Sequence, residues 1–495
     1  MIRRLTFLLF ILSMSWLSGH AQKEGNIWCF PDHSGINFND TSNLITFSSA
    51  IGPNFGSPLQ NQSTIADSSG NLFCYTSATT FAFNGLYVFD RNHNVMPNGS
   101  RLQGHPTFSS LLLPFPGIDS LICLLHFGRD SINTNYFRLL FSIINKNLNS
   151  GFGDVIIRDS LIYYGQLTSD KLAAVKHANG RDWWVFTYDY NSGSYVYFIL
   201  TPNGVSHIGT QNIGSNANDL FYGKLLFSND GTKMMGVGDI GHIDVFDFDR
   251  CSGLLSNYRD IGEHLSSEAY QYANAAFSPN GNIIYVSPFN LTKNFYQFNL
   301  NAPNITASKI LLNTYPDTGM VQWTTYQWHN LAPDGKIYIP ITTNYQGPNT
   351  NTFFTQHLDV IEYPDSVGAA CHYIRQSFDL GGHFVGGCLP NMPYYGLNAM
   401  TGSICDSLTG LKSICETENG TEVFPNPSSG IFSLRLKEVN DKIVLVSVSN
   451  VLGNEVFRSK NIFYSIDISN KATGVYFVKV LTQKKENFSV KLIKQ

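Results

Sequence analysis

The strongest constraint on the fold of this chain is a turn that recurs about every 50 residues. A short apolar run leads into a Pro/Ser–Asn/Asp–Gly turn, and a second apolar run follows. Clear copies are KLLFSNDGTKMMGV (224–237), NAAFSPNGNIIYVS (274–287) and HNLAPDGKIYIPI (329–341). Asn-Gly and Asp-Gly accept the positive φ of tight hairpin turns, and a fixed period of this length indicates a repeat architecture. The turn glycines are Gly70, Gly117, Gly180, Gly231, Gly281 and Gly335, at intervals of 47, 63, 51, 50 and 54.

Each unit holds more than the hairpin, because two further strand-like runs follow it before the next turn. Four-stranded sheets repeated at this spacing are typical of propeller blades. Six units lie between residues 64 and 378. IWCFPDHSGINF (27–38) and FVGGCLPNMPYY (384–395) could combine into a seventh blade, which would close the ring and leave no unpaired edges. We therefore predict an all-β, seven-bladed β-propeller; six blades, or a series of separate β-sandwiches, are the alternatives.

Composition and charge agree with a large β-protein that has two distinct parts. Hydrophobic residues make up 43% of the chain and charged residues 14%, which argues against disorder. The 36 Phe and 25 Tyr favour strands over helices. Residues 23–420 carry 19 Lys and Arg against 30 Asp and Glu, a net charge of −11; residues 422–495 carry 11 against 6, a net charge of +5. The net charge of the whole chain is −4, which argues against nucleic acid as a partner.

The N-terminal segment MIRRLTFLLFILSMSWLSGHAQ has the three parts of a secretory signal peptide: two arginines, a short apolar run and small residues at a cleavage site. Gly19 and Ala21 occupy positions −3 and −1 of a cut before Gln22. No later run reaches the roughly 18 apolar residues of a membrane helix, so we predict no transmembrane segment in the mature chain. The predicted division is signal peptide 1–21, propeller 22–400, linker 401–421 and C-terminal domain 422–495.

All eight cysteines follow the predicted cut. In an oxidising compartment, near pairs such as Cys371/Cys388 and Cys405/Cys415 could be bridged. Spacing alone does not give the connectivity, and isolated buried thiols are the alternative. The spacings lack the paired CxxC pattern of a zinc site.

The C-terminal unit consists of short alternating runs separated by turn residues, which predicts a small, Ig-like antiparallel β-sandwich. VFPNPSSGIFSLRL (423–436) resembles the opening of the type A C-terminal sorting domain of the type IX secretion system. Two later segments, VSVSNVLGNEVFRS (446–459) and IDISNKATGVYFVKVLTQ (466–483), are similar to that family in the same order. The resemblance implies a sorting signal handled by the type IX secretion machinery, and hence release from the cell or attachment to its surface. The matching positions are Pro425, Asn426, Pro427, Gly430, Gly453, Gly474 and Tyr476.

The body carries a second resemblance. NIWCFPDHSGINFN (26–39) resembles the opening of large Bacteroidetes surface proteins, and LAPDGKIYIP (331–340) and GGCLPN (386–391) match later parts of the same body. The resemblance covers about residues 26 to 395. It implies a propeller-like fold and a surface location, and no particular activity.

Candidate site residues are sparse. There is no HExxH, GxSxG or Walker sequence, so we predict no cofactor and no metal. His264 and Glu268, the lone His177 and the acidic turn loops 229–231 and 238–240 read better as loop and turn residues. Aromatic rings stack on sugar rings and dominate binding surfaces, although propellers also need aromatics between blades. The candidate ligand-binding residues are Trp183, Trp184, Trp323, Tyr326, Trp328 and His329.

Three classes of function remain open from the sequence. The favoured class is an exported binding or adhesion protein whose loops at one propeller face hold a glycan or a surface protein. The second is a secreted glycan-active hydrolase or lyase, whose acid and base residues would converge on the central channel. The third is a structural or accessory component of the cell envelope.

Overall fold

A computed structural model of the chain describes an all-β protein. In the described part there are 36 strands, no α-helix, and short 3-10 turns at Asn149–Gly151, Thr306–Ser308 and Gly368–Cys371. The predicted signal peptide lies outside this part. The described residues are 22–30, 33–39, 42–46, 62–78, 85–104, 109–130, 133, 135–216, 223–238, 241–262, 272–288, 294–315, 321–326, 328–345, 352–354, 356–383, 385, 389–406, 421–436, 442–450, 454–460, 465–483 and 487–495.

The first half of the body consists of four consecutive antiparallel sheets, in which each strand pairs with the next one along the chain. We number them sheets I to IV. Sheet I is β1 (Ile27–Phe30), β2 (Ser34–Asn37) and β3 (Asn43–Thr46); sheet II is β4 (Thr64–Ala66), β5 (Leu72–Ala78) and β6 (Leu86–Asp90); sheet III is β7 (Ser110–Pro114), β8 (Leu121–Arg129), β9 (Phe137–Asn145) and β10 (Asp154–Gly165); sheet IV is β11 (Leu167–Lys176), β12 (Trp183–Asp189), β13 (Ser194–Thr201) and β14 (Gly204–Gln211).

In the second half, sheets V and VI repeat the same order, and the last seven strands form two adjoining sheets that we together call sheet VII. In sheet VII, Pro340 falls between β25 and β26; having no N–H to donate, it interrupts the ladder. The two parts of sheet VII have the orders β23-β26-β27 and β24-β25-β28-β29, and Pro340 separates β25 of one from β26 of the other. Sheet V is β15 (Gly223–Phe227), β16 (Lys233–Gly238), β17 (Ile243–Asp249) and β18 (Leu254–Asp260); sheet VI is β19 (Tyr272–Phe277), β20 (Ile283–Pro288), β21 (Asn294–Asn299) and β22 (Ile310–Thr314); sheet VII is β23 (Val321–Tyr326), β24 (Asn330–Leu331), β25 (Ile337–Ile339), β26 (Ile341–Tyr345), β27 (Thr352–Phe354), β28 (His357–Ile361) and β29 (Tyr373–Asp379).

The predicted turn glycines join the first and second strands of sheets II to VII. Every one has positive φ, between +67° and +89°, which confirms the prediction drawn from the Asn-Gly and Asp-Gly turns. Gly180 has a second constraint, because a Cβ there would lie 2.5 Å from the backbone nitrogen of Ala399. The turn of sheet IV is therefore in tight contact with a segment from the end of the body.

Neighbouring sheets share hydrophobic clusters, and the last sheet packs on the first. Phe186 of sheet IV meets Phe248 of sheet V with ring centroids 5.6 Å apart. Trp28 of sheet I lies edge-on to Tyr338 of sheet VII at 6.0 Å. The cluster around Trp28 contains buried side chains of these two sheets, and another joins sheets I and II. Large aromatics between stacked sheets thus carry the packing of the body.

The prediction that residues 384–395 supply a strand to a seventh sheet is wrong for the residues that are described. Residues 385 and 389–400 contain no strand, and sheet I has its three strands from residues 27–46 alone. Pro390 and Pro393 lack the N–H groups that a ladder needs. Residues 389–406, called the strap below, instead contact the first strands of sheets III and IV.

One disulfide joins Cys251, in the turn between β17 and β18, to Cys405 of the strap, with Cα atoms 5.8 Å apart. This separation suits a disulfide, and it shows that the suggested Cys405/Cys415 pairing is wrong. Cys371 is a buried free thiol, so the suggested Cys371/Cys388 bridge is wrong as well. Cys388 and Cys415 themselves lie outside the described residues.

The C-terminal unit has two antiparallel sheets, of orders β30-β31-β34 and β33-β32-β35-β36. Phe432 and Ile466 of the first sheet share one buried cluster with Val446 and Val478 of the second. The strands are β30 (Thr421–Phe424), β31 (Ile431–Leu436), β32 (Ile443–Asn450), β33 (Glu455–Ser459), β34 (Ser465–Asp467), β35 (Gly474–Thr482) and β36 (Asn487–Lys494).

Candidate functional site

The Pro-Asn-Pro loop of the C-terminal unit is tied to the end of its last strand. The Ile493 amide donates a hydrogen bond to Asn426 Oδ1 (2.8 Å), and the Ser428 amide donates to the Ile493 carbonyl (3.0 Å). The Gln495 amide donates back to the Ser428 carbonyl at 2.9 Å. Cis peptide bonds precede both Pro425 and Pro427. The first motif of the unit and its last residues therefore form one structural element.

Gly430 ends this loop in a conformation that suits glycine. Its φ is +125°, and a Cβ would lie 2.5 Å from the Cα of Ser469. Tyr476 is buried, and its hydroxyl donates to the Ala472 carbonyl at 2.6 Å. Gly474 begins β35, whereas Gly453 lies outside the described residues. The motif positions that are described thus hold the loop and the two sheets together.

Trp183 and Trp184 are consecutive residues of β12, and both are buried, in two different hydrophobic clusters. Trp183 lies edge-on to the strap residue Tyr395 at 6.0 Å. Trp184 donates from Nε1 to the Arg250 carbonyl (2.9 Å), joining sheet IV to sheet V. Each ring has its contacts inside the protein and little exposed face, so this burial favours a packing role.

The remaining aromatic candidates lie in and near sheet VII, apart from the tryptophan pair. Tyr326, Trp328 and His329 are buried. Tyr326 and His329 both contact the ring of Phe295, at 5.0 and 5.2 Å. The side chain of Trp323 lies outside the described part. The sequence-based ligand set is therefore not one surface, and its ligand role stays a prediction.

The histidine and the acidic residue singled out in the turns, His177 and Asp230, make hydrogen bonds within their own turns. His177 Nδ1 accepts from the Asn179 amide at 3.0 Å, as expected of a turn-stabilising histidine. Partial burial opposes ionisation of Asp230, but hydrogen bonds from Ser228 and Thr232 lower its pKa below the ordinary value. The described residues contain no group of three or more His, Cys, Asp or Glu side chains that could hold a metal. His264 and Glu268 fall outside them.

A buried acid surrounded by phenols lies between sheets VI and VII. Asp359 accepts hydrogen bonds from Tyr315 (2.8 Å), from Tyr373 and from the Gln376 amide (2.8 Å). Burial raises the pKa of Asp359, and burial together with the Asp359 charge raises the pKa of Tyr315 and of Tyr373. Phenols with raised pKa values stay protonated and act as donors. This cluster therefore links sheets VI and VII.

A cavity of about 420 Å³ lies between the strap and strands β7, β11, β15, β19 and β24. Lys224 lines it, but its ammonium donates to the Ala275 carbonyl (3.0 Å), the His329 carbonyl (2.6 Å) and Asn330 Oδ1 (2.7 Å). Its three hydrogens are thereby engaged by the protein. Other lining side chains include Gln22, Asn26, Trp28, Asn229, Met392 and Tyr394. Among the described lining residues there is no carboxylate and no histidine.

The strap forms one wall of this cavity, and sequence reasoning missed that role. Asn391 Nδ2 donates to the carbonyls of Ser110 (3.2 Å) and Leu172 (3.0 Å), so one side chain bridges sheets III and IV. The Tyr395 hydroxyl donates to the Leu112 carbonyl at 2.8 Å. The sequence feature that could have indicated the strap is the break in the repeat pattern at Pro390 and Pro393, within the segment predicted to join a seventh blade.

Solved structures similar to this chain include two propellers. The β-propeller domain of Cps50 (Swd1) from Myceliophteria thermophila is 12% identical, with a TM-score of 0.37 over 67% of this chain and 93% of that one. The Dos1 propeller is 11% identical, with a TM-score of 0.38 over 68% of this chain and 87% of that one. Likenesses this low carry no argument about function.

A curated relative, the endo-acting ulvan lyase of Formosa agariphila, is 38% identical over 74 residues. The match spans 14% of this chain and 14% of the relative.

The family model for the secretion system C-terminal sorting domain matches residues 422–495, the segment that contains the Pro-Asn-Pro loop and both C-terminal sheets. No helix in the described residues is long and apolar enough to cross a membrane. Residues 422–495 are therefore a C-terminal sorting domain of the type IX secretion system, and the protein that carries it is sorted to the cell surface or the extracellular space.

Proposed function

We propose that sheets I to VII are the blades of a closed, seven-bladed β-propeller and that the sorting domain is an Ig-like sandwich. The shared cluster of Trp28 and Tyr338, which joins the first and last sheets, supports closure of the ring. We further propose that the signal peptide is removed between Ala21 and Gln22. The chain that follows this cut would consist of propeller 22–400, linker 401–421 and sorting domain 422–495.

The propeller then acts as an extracellular binding module whose ligand enters the cavity beneath the strap. The observation that carries this proposal is the chemistry of the cavity wall. Amides of Asn26 and Asn229 and the half-exposed ring of Tyr394 lie there, while the Lys224 ammonium is engaged by the protein. Amides and aromatic faces suit a neutral polyhydroxylated ligand. We therefore infer that the end of a glycan chain is bound.

A secreted glycan-active enzyme is the second candidate function, and the similarity to the ulvan lyase is the observation that suggests it. Glycoside hydrolysis generally needs two carboxylates at the scissile bond. The described cavity wall holds none, and its one charged side chain, Lys224, is occupied. The match to the lyase has the length of the sorting domain, which makes it weak support for shared chemistry.

The test is a glycan array probed with the secreted protein purified from the native organism. Tyr394→Ala removes the exposed ring at the cavity mouth, and we expect it to weaken binding at least tenfold. Tyr363→Ala is the matched control, because Tyr363 is exposed and is not among the cavity-lining residues. Equal glycan binding by both variants would show that the binding site is not at this cavity. New reducing or unsaturated ends on the bound glycan would establish the enzyme instead.

The export route is tested in the same organism. Cells with and without a working type IX machine are fractionated, and mature ends are identified by mass spectrometry. We expect the mature chain to begin at Gln22 outside wild-type cells and to accumulate in the periplasm of the mutant. A mature chain that still contains residues 1–21 would contradict the proposed cleavage.

A further inference from the structure

The cavity wall belongs to a segment that the propeller repeats do not supply. The strap runs from Leu389 to Asp406, and its contacts reach five of the seven sheets. Its Asn391 amide donates to the Gln62 carbonyl of the segment entering sheet II (2.8 Å), and the Pro390 carbonyl accepts from Asn330 of sheet VII (2.8 Å). With the bonds to sheets III and IV and the disulfide to the β17–β18 turn of sheet V, the strap links separate sheets of the body.

The far end of the strap is held at one place. Arg250 donates to the carbonyls of Asn398 (2.7 Å) and of Lys176 (2.8 Å), so a single guanidinium joins the strap to sheets IV and V. The next residue, Cys251, carries the disulfide to Cys405. Arg250 and Cys251 together form an anchor for the end of the strap.

Beyond this anchor the strap buries little apolar surface. Residues 401–406 are exposed or half-buried, and the Ile404 side chain is 94% exposed. There is no apolar burial of Ile404 to offset the entropy of ordering this stretch. The disulfide therefore supplies a covalent restraint at the point where the body continues into the linker and the sorting domain.

We propose that the Cys251–Cys405 disulfide is a lock that forms after export and fixes the strap as the wall of the ligand cavity. Thiols stay reduced in the cytoplasm and pair in oxidising compartments outside it. The cavity would thus be completed only where the protein works. For its effect on binding this inference rests on the proposed function; for the strap it stands independently.

The oxidant is the disulfide of a thiol oxidoreductase. One of the two cysteine thiolates attacks that disulfide and forms a mixed disulfide, and the second thiolate then displaces the oxidoreductase. One S–S bond forms in this chain and one is broken in the partner. Two electrons pass to the partner, and the two protons lost by the thiols of this chain are taken up by its two sulfurs, so that it leaves as a dithiol.

The test compares the folded, secreted protein before and after mild reduction, by hydrogen exchange read out on peptides covering residues 389–400. On reduction we expect these amides to exchange at least tenfold faster, while peptides from residues 272–288 keep their rate. A Cys251→Ser/Cys405→Ser variant should exchange fast without reductant and show no response to it. Unchanged exchange of the strap in reduced wild type would overturn the proposal.

Binding on the glycan array separates this inference from the proposed function. If reduction loosens the strap but neither form binds any glycan, the ligand proposal fails and the lock stands. If oxidised and reduced protein bind a glycan equally well and the strap stays protected in both, the lock fails and the ligand proposal stands. Should the double variant not accumulate, the reduced wild-type protein alone decides the matter, because it has already folded.

Discussion

The Nζ of Lys176 lies 3.1 Å from the carbonyl oxygen of Tyr395, so an ammonium at the end of β11 holds the middle of the strap. The same nitrogen donates to Gln22 Oε1 at 2.6 Å and lies 5.2 Å from the ring centre of Trp183. The proposed mature N-terminus, the strap and sheet IV therefore meet at one buried cation.

Burial of Lys176 predicts a pH dependence of stability. Desolvation lowers its pKa from 10.5 to about 8, although the charge of Glu24 opposes the shift. Between these two values the unfolded chain binds more protons than the folded chain, so the free energy of unfolding rises with pH across that window. Relative to Lys176→Met, wild type should gain up to about 1.4 kcal/mol per pH unit from pH 8 to 10.5 and nothing below pH 8. Urea unfolding at a series of pH values measures this, with the exposed Lys479→Met as control.

Loss of the strap's bridging amide should destabilise the body. Asn391→Ala leaves the carbonyls of Ser110 and Leu172 without this donor, and we expect a loss of about 1–3 kcal/mol in the free energy of unfolding. Asn398→Ala is the matched control, because Asn398 is exposed and takes part through its backbone carbonyl. Equal unfolding midpoints in urea for the two variants would contradict a tying role for the strap.

Alanine substitutions at two turn glycines distinguish the cost of backbone strain from the cost of a lost contact with the strap. Gly180 and Gly335 both have positive φ, but a Cβ at Gly180 would meet Ala399, whereas one at Gly335 would meet nothing within 4 Å. Gly335→Ala should cost about 1–2 kcal/mol from conformation alone. Gly180→Ala should cost clearly more and should also speed hydrogen exchange in residues 389–400. The prediction fails if the two substitutions are equivalent in both measurements.

The tryptophan pair should behave as core residues. Trp183→Ala and Trp184→Ala remove buried rings, and each should lower the free energy of unfolding by about 3–5 kcal/mol. Trp184→Phe keeps a ring and loses the bond to Arg250, so a smaller loss of about 1 kcal/mol is expected. Urea titrations followed by circular dichroism measure these values. A variant that keeps its stability but loses glycan binding would support a direct ligand contact by that tryptophan.

The sorting domain should depend on the acceptor oxygen of Asn426. Asn426→Ala removes the partner of the Ile493 amide, and we expect a smaller surface or extracellular fraction, measured by immunoblot of fractionated cells. Asn426→Asp keeps an acceptor oxygen and should be sorted like wild type. Asn470→Ala makes the same deletion at an exposed turn and serves as control. If the Asp variant is also retained, the amide nitrogen or the neutral side chain matters instead.

The sequence determined the features that depend on local chemistry. Asn-Gly and Asp-Gly turns need positive φ, and alternating apolar runs need a partner strand, so the hairpins and the all-β class could be predicted from the repeat. The sorting domain could be recognised because its motif residues, such as Asn426 and Gly430, act over short distances within one small unit.

Only the tertiary structure decided which distant segments of the body meet. Cys251 and Cys405 are 154 residues apart in the chain, and no local preference links them. The strap has no strand periodicity, because its hydrogen bonds run to backbone groups of other sheets. Lys176 would be expected at the surface from its residue type, but the fold buries it. Burial of Trp183 and Trp184 likewise depends on neighbouring sheets, which is why their aromatic character alone did not tell core from ligand surface.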